Sequence, residues 1–207
     1  LQKCTLKKEK LKLKLLLLRV KKNMTKDKLL KIVNGIETNQ DMLEDQVNSV
    51  YLAIGSNLGN KIQNIQKSIF FLSRRVSITK ISGYYETPSW PDKKKPKFVN
   101  VVIQVHTILT IIELYNLCLN VEKNLGRLRH GKNEPRTCDI DIVDFNNKVI
   151  YDFKNNLFSP HKSMHRRNFV LIPLLEISKN WFHPKKNMKI INLISKLPLR
   201  DLMSIKK

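Results

Sequence analysis

Asp139-Ile140-Asp141 sets two carboxylates at alternate positions of a β-prone run. On a strand both project from one face, while Ile140 and Ile142 turn to the other. Two like charges this close repel unless something neutralises them. Mg2+ suits that task, because it takes one or two carboxylates and leaves its other positions to water and phosphate oxygens. Taken alone, an Asp-x-Asp is more often the polar face of a strand edge. Its surroundings alter the weighing, since Glu122, Arg127, Arg129, Lys132 and Arg136 lie shortly upstream. Arginine clamps phosphate through a planar, bidentate fork. A metal carboxylate pair framed by fixed cations is what transfer of a phosphoryl-type group from a nucleotide requires.

Two further clusters could serve the same chemistry. In the run from Pro160 to Phe169, His161 and Arg167 could reach a phosphate or a leaving group. Seen in isolation, a His and an Arg near a helix start are more often capping or surface groups. In Thr87-Pro88-Ser89-Trp90, the tryptophan could act as a lid aromatic. Phe98 and Asn100 are two apart on a β-rich run and share a face. They offer a ring to stack on a flat heterocycle and an amide to bond its edge, unless Phe98 is simply core. Gly55-Ser56-Asn57-Leu58-Gly59-Asn60-Lys61 is not a Walker loop, because the glycine spacing and the residue after Lys are wrong. His161 and His165 lack the Glu of a zincin helix.

The elements that must hold these residues begin at Val50. Val50–Ile54 reads as a strand ended by a Gly55-Ser56-Asn57 turn, and residues 60–75 as a helix with Ile62, Ile65, Ile69 and Leu72 at helical spacing. Residues 76–86 read as one strand, 87–97 as a proline-marked loop, and 98–107 as a strand. A helix follows over 111–125, with Gly126 at its C-terminal cap. A basic loop then leads to an alternating strand over 138–145. Asn146-Asn147 predicts a hairpin into Lys148–Tyr151. Helices are expected over 167–177 and 189–197. The order β-α-β-β-α-β, with an extra hairpin strand and C-terminal helices, predicts a ferredoxin-like α+β sandwich with helices against one sheet.

Composition bounds the rest. Hydrophobic residues make up 42% of the 207, enough for a core. Three cysteines (Cys4, Cys118, Cys138) without a C-x-x-C spacing argue against a disulfide framework or zinc site and fit a reducing cytoplasm. The net charge of +22 attracts polyanions in general and selects none. Residues 1–49 differ in texture, opening on a Leu/Lys low-complexity tract. Leu15–Leu18 is too short to span a membrane. The chain starts on Leu with Met24 downstream, so this stretch is expected to be a disordered extension or an over-extended start, and residues 50–207 the functional domain.

From Val50 to about Pro184 the sequence resembles the 6-hydroxymethyl-7,8-dihydropterin pyrophosphokinases of folate biosynthesis. The resemblance rests on Ala53-Ile54-Gly55-Ser56-Asn57-Leu58-Gly59, Tyr85-Glu86-Thr87-Pro88, Phe98-Val99-Asn100, and Glu122 followed by Gly126-Arg127-Leu128-Arg129. It continues through Pro135-Arg136-Thr137-Cys138-Asp139-Ile140-Asp141, Pro160-His161, and Arg167 with Phe169 to Leu174. Each piece is weak, but their order and spacing together are specific. The resemblance implies transfer of pyrophosphate from ATP to the pterin alcohol, with release of AMP. It implies two Mg2+ ions on Asp139 and Asp141, and ATP phosphates on Arg127, Arg136, His161 and Arg167, with Arg129 in a nearby loop. It implies a pterin between Phe98 and Phe169, its edge read by Asn100 and by the stretch Thr87, Pro88 and Trp90, and a supporting role for Glu122. A cytoplasmic monomer acting on small molecules, with neither nucleic acid nor membrane as partner, is the corresponding expectation.

The chain departs from the family pattern in two places. Asn133-Glu134 stands where an aromatic-glycine pair is usual, and Lys162-Ser163 follows the Pro-His. The rival readings are a nucleic-acid-binding sandwich, a metal-dependent nuclease or nucleotidyltransferase, and an inactive family member. The first would show steep salt dependence without ATP turnover, and the second would release pyrophosphate or cut strands.

Overall fold

Along β1 (Asn48–Ser56), Val50, Leu52 and Ile54 point to one side and Tyr51, Ala53 and Gly55 to the other, which makes this the strand that two layers can cover. A computed structural model describes residues 47–89, 92, 94–127 and 134–207. The chain divides after Val47 into two units, and the described elements all belong to Asn48–Lys207. Residues 1–46 of the expected extension, Trp90, Arg129 and Asn133 lie outside the described residues.

β1 is central in a five-stranded antiparallel sheet of the described residues. It pairs on one side with β4 (Phe98–Thr107) and on the other with β5 (Asp139–Phe145). β2 (Ser77–Ile81) and β3 (Tyr85–Thr87) share the outer edge of β4. The fold is therefore α+β. Helices α1 (Lys61–Ser73) and α2 (Ile111–Asn124) cover one face, burying Ile65, Leu72, Leu114, Cys118 and Val121 against the β1 and β4 aliphatics. Each such side chain contributes about 2 kcal/mol on burial. The opposite face carries α3 (Asn168–Ile177) and, beyond a two-stranded hairpin of β8 (Phe182–His183) and β9 (Met188–Lys189), α4 (Ile190–Ile194). A last short helix, α5, covers Leu199–Leu202. Helices thus pack on both faces of the one main sheet. Among the described residues, no helix is long and apolar enough to cross a membrane.

Local chemistry sets the element ends. Asn60 caps α1 by accepting from the Gln63 N–H at 3.1 Å. Thr110 and Glu113 form a reciprocal capping box at the start of α2. Gly126 takes a positive φ of 75° just past α2. Its N–H reaches Lys123 O, and the Arg127 N–H reaches Glu122 O, which completes a Schellman stop.

Five expectations need correction. The single strand over 76–86 is two strands, because Ser82 uses its hydroxyl as the acceptor for the Val102 N–H (3.0 Å) and interrupts the ladder. Gly55 and Ser56 belong to β1 rather than to a turn, and Thr87 belongs to β3 rather than to the loop. The clean alternation over 138–145 breaks at a bulge, since Tyr51 faces Asp144 while Leu52 faces Ile142. This leaves Asp144 buried, accepting from Trp181 Nε1 at 3.0 Å.

The last correction concerns the hairpin after Asn146-Asn147. The turn forms, with both φ values positive, but the following strand does not return along β5. Instead β6 (Ile150–Asp152) pairs with β7 (Leu157–Ser159) as a separate ribbon. The free edge of β5 is covered by residues 159–161, through Phe145 N to Ser159 Oγ (2.8 Å) and His161 N to Val143 O (2.8 Å).

Candidate active site

The sheet register lays out the floor of the site. Asn100, Gly55 and Asp139 stand abreast on β4, β1 and β5, and Val102, Ala53 and Asp141 form the next row. Neighbouring strands are about 4.8 Å apart, so the backbones of Asn100 and Asp139 are separated by roughly 10 Å. Gly55 lies between them. A Cβ at Gly55 would sit 2.8 Å from Asn100 Oδ1 and 3.4 Å from Phe98 Cδ1, so only glycine leaves those side chains where they are. Asn100 donates through Nδ2 to Thr87 Oγ1 at 3.0 Å, which fixes its amide and binds it to β3.

The cations gather around the two aspartates. Arg127 Nη1 pairs with Asp139 Oδ1 at 2.6 Å and with Glu122 Oε1 at 2.5 Å. Arg136 Nη2 pairs with Asp139 Oδ2 at 2.5 Å, and Arg167 Nη1 with Asp141 Oδ2 at 2.8 Å. Burial pushes the Asp139 carboxyl up, but Arg136 and Arg127 together outweigh it, and the group sits below the usual carboxylate range. Glu122 also accepts the Ile140 N–H at 2.8 Å, so one buried carboxylate anchors both β5 and Arg127. The Schellman turn at Gly126 is what folds Arg127 back onto this helix end.

Both aromatic candidates sit under arginines of the same cluster. The Arg136 guanidinium lies 5.0 Å from the Phe98 ring centre, and that of Arg167 lies 5.6 Å from the Phe169 ring centre. His161 accepts the Ser163 N–H at Nδ1 (3.2 Å), and burial lowers its pKa. The neutral ring then carries its proton on Nε2, a donor suited to a phosphate oxygen. It lines a cavity of about 360 Å³ together with Tyr151, Phe158, Lys162, His165, His183 and Lys185. Burial pushes the Cys138 thiol, next to Asp139 in the chain, up to about 12, so it is no nucleophile.

The structure thus joins Arg127, Arg136, Asp139, Asp141 and Arg167 through ion pairs, sets Phe98 and Phe169 beside them, and ties Asn100 to Thr87. It does not tie Pro88 to this network by a hydrogen bond, and Trp90 and Arg129 lie outside the described residues. Two hard carboxylates beside a cationic frame suit Mg2+, with phosphate and water supplying the remaining oxygens. Among the described residues, no group of three His, Cys, Asp or Glu is placed to hold a metal.

Asn57 is a residue that sequence reasoning missed. It accepts the Arg136 N–H at Oδ1 (2.7 Å) and donates through Nδ2 to Pro96 O (3.1 Å), joining the end of β1 to two loops. The sequence offered its place in a polar turn cluster and in the first motif of the resemblance, and neither reveals partners far along the chain.

The family model for 7,8-dihydro-6-hydroxymethylpterin-pyrophosphokinase matches residues 51–179. The 2-amino-4-hydroxy-6-hydroxymethyldihydropteridine pyrophosphokinase of Aquifex aeolicus is 39% identical over 137 residues, covering 66% of this chain and 84% of its own. The folic acid synthesis protein FOL1 of Dictyostelium discoideum is 36% identical over 151 residues, covering 73% of this chain but only 23% of its own. The wild-type HPPK-DHPS of Plasmodium falciparum with pteroate superposes with a TM-score of 0.58 at 15% identity, over 72% of this chain and 42% of that one. That likeness concerns the fold alone. By the extent of the family match and the identity to its enzymes, this chain belongs to the 7,8-dihydro-6-hydroxymethylpterin-pyrophosphokinase family.

Proposed function

We propose that the chain transfers pyrophosphate from ATP to the hydroxymethyl group of 6-hydroxymethyl-7,8-dihydropterin, giving AMP and the pterin diphosphate for folate biosynthesis. The observation that carries this is the pairing of two sites across one glycine: Asn100 and Phe98 on one side of Gly55, and Asp139 with its arginines on the other. A heterocycle-binding wall and a phosphate-binding cluster at that spacing bring an alcohol and a phosphorus atom together. The pterin hydroxyl oxygen bonds the β-phosphorus, the bond from that phosphorus to the α,β-bridging oxygen breaks, AMP leaves, and the hydroxyl proton is lost. Positioning and charge neutralisation supply the rate, and no covalent nucleophile is needed.

In this reading Asp139 and Asp141 hold two Mg2+ ions, which neutralise phosphate charge when bound. Arg127, Arg136, His161 and Arg167 take the ATP phosphates, and Arg129 joins them from the basic loop. The rings and lysines around the cavity at His161 suit the rest of a nucleotide. Phe98 and Phe169 flank the pterin, with Asn100, Thr87, Pro88 and Trp90 at its edge. The loops over 88–97 and 127–135 close on the substrates and exclude water, the competing acceptor.

The strand order β2-β4-β1-β5, with β1 and β2 on either side of β4, supports a ferredoxin-like class for a catalytic domain over 50–207. Cys118 and Cys138 are free and buried, which suits a cytoplasmic protein, and the reading takes it as a monomer.

The test is direct. Purified protein with ATP, Mg2+ and the hydroxymethyldihydropterin should release AMP, and Asp141→Ala should slow this by at least about a hundredfold. No AMP from the unaltered chain would sink the reading, and full turnover by the variant would remove Asp141 from the metal site.

A further inference from the structure

We infer that Glu176 is a positioning residue for the heterocycle-binding wall, acting with residues 199–207 as a strap across the two elements that carry it. This rests on the reading of Phe98, Asn100 and Phe169 as that wall.

Phe169 is in the first turn of α3, and Glu176 is in the last turn of the same helix. Glu176 Oε2 accepts from the Gly83 N–H at 3.0 Å and from the Tyr85 hydroxyl at 2.8 Å. Its other oxygen accepts from Lys207 Nζ at 2.9 Å. One carboxylate therefore joins α3, the entry to β3 and the strap. The strap continues the sheet, since Glu86 N reaches Lys206 O at 2.7 Å and Lys206 N reaches Glu86 O at 3.0 Å. Its other end grips the start of α3, where Asn168 Nδ2 donates to Asp201 O at 2.5 Å, one residue before Phe169.

β3 in turn holds Asn100 through Thr87. A shift of β3 or α3 therefore moves Asn100 or Phe169, although Glu176 faces neither substrate in this reading. Gly83 is part of the device, because a Cβ there would come within 2.5 Å of Lys207 Cε. That lysine end can swing away, so Gly83→Ala loosens the strap without obstructing the backbone.

The experiment compares the full chain with Glu176→Ala, Glu176→Gln and Gly83→Ala in steady-state kinetics, and follows deuterium exchange at the Glu86 amide. Glu176→Ala should raise KM for the pterin about tenfold while KM for ATP moves less than about twofold. Glu176→Gln keeps an acceptor oxygen and should recover most of that loss, and Gly83→Ala should fall between. Exchange at Glu86 should quicken in both Glu176→Ala and Gly83→Ala. An unchanged pterin KM in Glu176→Ala, or an equal rise for both substrates, overturns the inference. If the unaltered chain makes no AMP, the activity reading fails instead, and the strap is judged on exchange alone, where unchanged protection at Glu86 overturns it.

Discussion

Gly55 occupies the point where the two halves of the site meet, and its lack of a side chain is a chemical feature of the floor. The nearest atoms to an added methyl would be the amide oxygen of Asn100 and the ring of Phe98, both proposed to face the pterin. Gly55→Ala should therefore raise KM for the pterin by about tenfold and leave KM for ATP nearly unchanged, as read by steady-state kinetics with each substrate varied in turn. An equal rise in both would place the damage elsewhere. The neighbouring charges behave differently. Asp139 is held by two guanidinium groups, and Glu122 shares one of them, so the cluster balances its own charge without leaving a buried carboxylate bare. Asp139, Asp141, Arg127 and Arg136 were legible as one charged cluster, because they lie close together in the sequence. Asn57 and Gly55 were not read correctly, because what makes them matter is contact with residues distant in sequence.

The element that delivers Arg127 is the end of α2, and its geometry depends on Gly126. A left-handed φ of 75° costs glycine little and alanine about 1 kcal/mol. Among the described residues, nothing lies within 4 Å of where a Cβ would stand, so the penalty there is conformational rather than steric. Gly126→Ala should lower stability by about 1 kcal/mol in urea unfolding. It should also slow AMP release, because Arg127 is set by the same turn. A variant of normal stability and activity would show that the Schellman stop does not place the arginine. The helices expected over 111–125 and 167–177 form over 111–124 and 168–177, the first of them marked by apolar spacing and by Gly126 at its end. The outer strands did not. The break at Ser82 depends on a hydroxyl standing in for a backbone acceptor, and the ribbon of β6 and β7 depends on which segment reaches the edge of β5 first.

At the scale of the whole molecule, the second face of the sheet is sealed by the hairpin that carries His183. This ring is 3% exposed, and burial, with His165 and Lys186 nearby, lowers its pKa to about 4. Its Nδ1 accepts the Lys186 N–H at 3.3 Å, a bond only the neutral ring can accept. The unfolded chain would titrate this group near 6.5, so between about pH 6.5 and 4 it binds more protons than the folded one. The stability due to the neutral ring is complete above that window and falls as the pH drops through it. From pH 7 to pH 5 the loss should reach about 1 to 2 kcal/mol. Urea midpoints at the two pH values should converge in His183→Gln relative to the unaltered chain, and an equal drop in both proteins would discount the histidine.

The sequence by itself determined the chemistry and the order of the parts. Two carboxylates at strand spacing, arginines just upstream and an apolar pattern that alternates at period two and then at helical period are local properties of the chain. These are enough to predict an acidic pair framed by arginines and a mixed α+β fold. Only the tertiary structure decided that Asn100, Gly55 and Asp139 stand abreast, that Asn57 ties the end of β1 to two loops, and that residues 199–207 close onto β3. Register, bulges and edge covering arise from competition among segments far apart in sequence, and that competition is settled only when the sheet is assembled.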